Sequence, residues 1–140
     1  MNHNGYRAKA NNAWQYGYYV FDKEHYIVQN LAMVVRGTPE LVNAHVIDVN
    51  TLGISAGHTV DNQKTIFEGD IVTWKGAGDL KYIVRFGEYS NIIGHGRVAG
   101  LGFYLDLISD HKYTTPLCEK RCTELCVIGN IYDNPELLNR

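Results

Sequence analysis

Almost no part of this chain carries a helical period. Apolar residues come instead in short runs or strict alternation, cut by Gly, Asn and Asp, which is the pattern of strands joined by turns. In Trp14–Phe21 the alternation puts Trp14, Tyr16, Tyr18 and Val20 on one face. His25–Val35 and Ala44–Val49 read as further strands, parted by a break at Gly37–Glu40 where Pro39 bars a central ladder position. Thr51–Lys64, with two glycines and the turn pair Asp61-Asn62, reads as an irregular, turn-rich crossing. Lys75–Asp79 reads as a hairpin loop and Leu80–Phe86 as its return strand. Gly87–Gly102 has five glycines and no period, and reads as a loop. Phe103–Ile108 and Thr123–Asp133 are later strands, with a turn at Ser109–Lys112. The tail allows one helical turn, with Asn134 as cap and Pro135 at the first helical position.

The stretch Thr65–Trp74 is the most specific local signal. Gly69 can take backbone angles closed to other residues, and Asp70 can bond nearby backbone N–H groups. Phe-Glu-Gly-Asp therefore predicts a sharp turn that feeds a buried strand at Ile71–Val72. Glu68 and Asp70 share parity on a strand, but the glycine between them favours turn and capping roles over acid–base chemistry. The expected core is Trp14, Tyr18, Val20, Ile66, Phe67, Ile71, Val72, Val84, Phe86, Val127, Ile128 and Ile131.

At 140 residues the chain is long enough to bury a core without staples. A net charge of -2, with charges well mixed, argues against general nucleic-acid binding, which needs a basic field. A local basic patch stays possible. Lys75, Lys81, Arg85 and Arg97 lie among Trp74, Tyr82, Phe86 and Tyr89, as in barrels that stack bases within a basic groove. The bland reading is a strand whose Lys and Arg stems cover apolar surface. Ten tyrosines against four phenylalanines suit a β-rich domain with half-buried faces, or a self-associating or binding surface. The opening residues are polar and no apolar run approaches the roughly 18 residues of a membrane helix. A reducing cytoplasm with free thiols is the expected setting.

Catalytic motifs are missing from the sequence. There is no phosphate-binding G-x-x-x-x-G-K-[ST] loop and no G-x-S-x-G elbow. Gly94–Gly102 contains Gly-x-Gly without the strand–helix setting of a dinucleotide site. Cys118, Cys122 and Cys126 are spaced four apart, with His111 upstream, and zinc would want such ligands in a tetrahedron. The spacing matches no paired zinc motif, and small buried hydrophobes or stray thiols fit it better. His3, His25, His45, His58, His95 and His111 form no H-x-x-x-H pattern. Neither a cofactor nor a metal is expected.

Three blocks resemble the YopX family of phage and prophage proteins: Tyr6–Val20, Val60–Val72 with its Thr-Ile-Phe-Glu-Gly-Asp-Ile-Val, and the terminal Val127–Leu138. They span nearly the whole chain in the family's order; Gly87–Arg121 carries no family motif. The resemblance implies a mostly β, barrel-like fold with little helix, an origin on a bacterial virus or integrated element, and Cys126 in the last strand. It implies no activity. In the family the turn before this block reads Asp-x-Asn-Gly-Lys, and here Gln63 stands at the Gly. A longer loop, or a left-handed Asn62, would accommodate it.

The expected fold is mainly β: one domain over 1–140, with an N-terminal β segment at 1–48. A small, strongly curved sheet or SH3-like pseudo-barrel follows at 49–140 and ends in a short helical turn. The expected function is that of a non-enzymatic phage or prophage accessory protein in the host cytoplasm. It would act by self-association as a homo-oligomer or by binding a host or phage protein, with no membrane contact. The alternatives are a nucleic-acid-binding regulatory module on Lys75, Lys81, Arg85 and Arg97, and an enzyme of unrecognised type.

Overall fold

The computed structural model describes residues 5–29, 44–93 and 96–139, with 91–93, 96–98 and 119 described by backbone alone. The described chain is mainly β, built of two antiparallel sheets. It divides into two compact units, His3–Gly57 and His58–Arg140.

In the first unit the strands are β1 (Tyr6–Ala10), β2 (Ala13–Asp22), β3 (Glu24–Val28), β4 (Ala44–Val46) and β5 (Asp48–Thr59), in the order β4-β3-β2-β1-β5. Asn11 and Asn12 both take positive φ, 51° and 62°, between the paired Ala10 and Ala13. That is a two-residue hairpin turn whose twist matches its strands, and Asn tolerates the left-handed region it needs. Ala8, Ala10, Ile27 and Ile47 form the buried cluster, with Tyr6, Tyr19 and Leu52 packed against it. Tyr19 thus sets the core-facing parity of β2. Tyr18, expected in the core, is exposed because it points the other way. The proposed continuation of the strand to Val35 and the break at Pro39 lie outside the described residues.

Thr51–Lys64 is not an irregular crossing. Most of it is β5, which pairs with β1 at Tyr6↔Ile54 and Arg7↔Gly53 and bulges before Lys9↔Asp48. The pairing partner, not the local composition, decides the conformation here.

The second unit holds β6 (Thr65–Phe67), β7 (Asp70–Trp74), β8 (Lys81–Ile93), β9 (Gly96–Leu107), β10 (Thr114–Pro116), helix α1 (Glu119–Cys122), β11 (Leu125–Asn130) and a 3-10 turn at Pro135–Leu138. Its sheet runs β10-β9-β8-β7-β11. Gly87–Gly102 is no loop either: β8 and β9 pair from Tyr82↔Leu107 out to Ile93↔Gly96, with Gly87 opposite Gly102. Ile71, Ile83 and Ile108 form the core on one face, closed by Ile131, Leu137 and Leu138 from the chain's end. Val72, Val84 and Leu105 are buried on the other. Ile128, expected inside, is exposed for a specific reason. The register of β11 on β7 jumps between Val127↔Val72 and Gly129↔Ile71, so Ile128 is the unmatched bulge residue.

The Phe-Glu-Gly-Asp turn forms as its chemistry predicts. Gly69 has φ 93°, and buried Asp70 accepts the Phe67 N–H at 2.8 Å. Gly69 N–H donates to Val84 O at 2.8 Å, and Ile131 N–H to Gly69 O at 3.0 Å, so one turn joins three parts of the unit. The tail turn starts at Asn134 as expected, but its side chain does not cap it. Asn134 Oδ1 instead accepts the Asn130 N–H at 3.2 Å. Asp133 accepts from Asn130 Nδ2 at 3.1 Å.

At 60–64 the left-handed residue is Gln63, with φ 61°, and not Asn62. Gln63 N–H donates to Val60 O at 2.9 Å and Val60 N–H to Lys64 O at 3.0 Å. This is a turn closed by a left-handed bulge residue, the position at which glycine is favoured. Gln63→Gly should therefore stabilise the protein by roughly 0.5–1 kcal/mol, the left-handed penalty less the added chain entropy of glycine. Urea unfolding checks it: the midpoint should rise at constant slope, and an unchanged or lower midpoint would count against the strain.

Candidate functional site

Alternation along β8 sorts the groups that the sequence places together. Lys81, Ile83 and Arg85 face one way, and Tyr82, Val84 and Phe86 the other. Pairing carries this across the sheet: Val72 lies opposite Tyr82, which puts Trp74 on the Tyr82 face. So Lys81 and Arg85 lie on the face opposite Trp74, Tyr82 and Phe86. Tyr89 shares the Arg85 face, where its ring meets that of Tyr104 at 5.8 Å. Lys75 sits in the loop after β7, paired with Asp61 at 2.8 Å. Arg97 lies in β9 opposite Ile92; its side chain is outside the described residues.

Arg85 is held by Asp106. Its Nε–H donates to Asp106 Oδ2 at 2.7 Å, while His111 Nδ1 contacts Oδ1 at 2.8 Å. The Asp106 side chain is only 8% exposed, and both partners are half open to solvent. Asp106 escaped the sequence reading, though its signal was present. An acid inside the apolar Phe103–Ile108 run must find partners.

A second cluster ties α1 to the sheet. Trp74 Nε1–H donates to Glu124 Oε2 at 2.5 Å, and the Arg121 guanidinium lies 5.1 Å from the Trp74 ring centre. Arg121 also donates to Thr115 Oγ1 and, at 3.4 Å, to Pro116 O. Tyr82 meets Trp74 edge-on at 6.5 Å. Burial pushes the Tyr82 hydroxyl above its ordinary pKa, and the Arg121 charge opposes that only in part.

The thiols do not come together as a ligand set. Cys118 is exposed just before α1, Cys122 is buried at its end, and Cys126 lies in β11. Among the described residues no group of three His, Cys, Asp or Glu side chains could hold a metal ion. No helix among them is long and apolar enough to cross a membrane.

The outer half of the β8–β9 hairpin offers the clearest surface. There Phe86, Glu88, Ser90, Ala99 and Leu101 are exposed on the Tyr82 face, while Arg85, Tyr89 and Tyr104 on the other are half-buried. Phe86 is 47% and Leu101 74% exposed, and Phe86 packs edge-on against Phe103 at 4.9 Å. The neighbouring edge is open as well. Strand β10 covers β9 only at Tyr104–Asp106, and Leu117 N–H reaches Phe103 O at 3.0 Å. Beyond that point β9 has no strand partner on its outer side among the described residues.

Together these features define a two-sheet antiparallel β protein with a long hairpin that exposes Phe86 and Leu101. The chain belongs to the YopX family: the family described as YopX protein matches residues 5–139. A search of curated proteins finds no match.

Proposed function

We propose that the protein is a non-enzymatic phage or prophage accessory protein of the bacterial cytoplasm. It acts by binding protein surfaces, a second copy of itself first, through the outer half of the β8–β9 hairpin. The observation that carries this reading is Leu101, 74% exposed on a strand whose outer edge has no strand partner among the described residues. Natural edges are usually blunted by Lys, Pro or a bulge, and Gly100-Leu101-Gly102 has none of these. Two such edges pair about a two-fold axis without any further element.

The strongly curved, pseudo-barrel form of the second sheet belongs to the same reading. Thr114 Oγ1–H donates to Ser90 O at 2.8 Å, which links β10 to β8 past the intervening β9. Tyr89 lies four residues beyond the Arg85↔Tyr104 pair, about 13 Å on a flat strand, yet the two rings stand 5.8 Å apart. Nucleic-acid binding stands second. Lys81 and Arg85 share a face, but Lys75 is paired with Asp61 and the net charge is -2.

Sedimentation equilibrium tests the reading. The protein should dimerise at micromolar concentration, and Leu101→Lys should raise the dissociation constant by about 100-fold or more, since each copy loses one buried leucine. A wild-type protein that stays monomeric at 100-fold higher concentration, or a variant that dimerises equally well, would overturn self-association through this edge.

A further inference from the structure

We propose that Arg85 and His111, both held by Asp106, form a binding site for a phosphate-type oxyanion. The argument starts from what Asp106 does. It is nearly buried, and each of its oxygens takes one partner, Arg85 Nε at 2.7 Å and His111 Nδ1 at 2.8 Å. A carboxylate acceptor fixes the proton on Nδ1, so Nε2 is the ring atom left for a ligand.

Arg85 spends only its Nε–H on Asp106. Its terminal amino groups take no partner among the described residues, and its side chain is 41% exposed. His111 is 52% exposed, and its contact to Asp106 is through Nδ1. One buried acid therefore holds both the Arg85 guanidinium, through Nε, and the His111 imidazole, through Nδ1. Neither has to lose much side-chain freedom when a ligand arrives, which is the main cost of binding with long side chains.

The geometry selects the ligand class. A guanidinium fork takes two oxygens of an anion. A carboxylate would be used up by that fork. The imidazole requires a third oxygen, which a phosphate or phosphomonoester supplies. Lys81, on the same face, adds positive charge without a salt bridge among the described residues. Asp106 offsets one positive charge, so the expected affinity is only roughly millimolar.

The test is an NMR titration of the full chain with inorganic phosphate and, separately, a nucleoside monophosphate, following the His111 ring and the Arg85 side chain. Both ligands should give saturable shifts at both residues, and tighter binding by the monophosphate would identify a phosphomonoester as the source. Arg85→Lys keeps the charge and loses the fork, so it should weaken binding by about tenfold, the loss of roughly one charge-assisted hydrogen bond. Shifts that fail to saturate, that chloride reproduces at matched ionic strength, or that Arg85→Lys leaves unchanged would overturn the site. The wild-type titration alone decides the first two outcomes, whatever the variant's stability.

Discussion

Replacing Asp70 with Ala is expected to lower the unfolding free energy by about 3 kcal/mol, read as a fall in the urea midpoint at constant slope. Asp70 is 2% exposed and accepts the N–H of Phe67, itself buried in the core. Removing the carboxylate strands that N–H where water cannot replace its partner. A buried charge-assisted bond and an orphaned donor together account for a loss of this size. The damage should also spread, because the same turn bonds Val84 and Ile131 through Gly69. Asp70→Asn keeps one acceptor oxygen and should cost only about 1 kcal/mol. Equal losses for the two variants would mean that charge, and not the bond to Phe67, is what the site requires. A loss below about 0.5 kcal/mol for Asp70→Ala would mean that Gly69 alone shapes the turn.

Gly129→Ala should cost about 2–3 kcal/mol, although alanine usually favours a strand over glycine. A Cβ at Gly129 would stand 2.5 Å from Asn134 Oδ1, 2.8 Å from its Cγ and 3.0 Å from Leu137 Cδ1. Asn134 cannot swing aside freely, because that oxygen accepts the Asn130 N–H. Asn130 in turn folds its own Oδ1 back onto the N–H groups of Tyr132 and Asp133 at 3.0 and 2.9 Å. The added methyl therefore breaks a bonded loop and lifts Leu137 from the Ile71–Ile83–Ile108 core. Gly76→Ala is the matched control: nothing lies within 4 Å of its Cβ position, and it should change stability by under about 0.5 kcal/mol. If thermal unfolding shows the two variants alike, the close approach of Asn134 does not matter to stability.

What was legible in the sequence was whatever its local chemistry decides. Gly69 and Asp70 announce their turn because one supplies the angle and the other the acceptor within three residues. The strand at Ala13–Asp22 shows in its alternation, but its buried parity does not, because both faces of that strand are aromatic. What escaped was set by partners far along the chain. Strand β5 contains Gly53 and Gly57 and looks broken until β1 lies beside it. The β8–β9 hairpin looks like a loop until Gly87 and Gly102 are seen to face one another. The candidate surface suffered the same way. Proximity in sequence groups Lys81 and Arg85 with Trp74, Tyr82 and Phe86, but a period of two separates them. Leu101 sat inside the presumed loop, so its exposure could not register as an unprotected edge.

The placement of the two tryptophans has a practical result. Trp14 lies in the first unit, with the Arg7 guanidinium 4.6 Å and the Lys9 ammonium 5.3 Å from its ring centre. Trp74 lies in the second, bonded to Glu124 and facing Arg121. The chain has no other indole. Each unit thus carries a private optical reporter, and replacing either tryptophan with phenylalanine leaves a fluorescence signal that belongs to one unit alone. Whether the halves melt as a single cooperative block or in succession becomes a matter of overlaying two emission curves, with no dye attached.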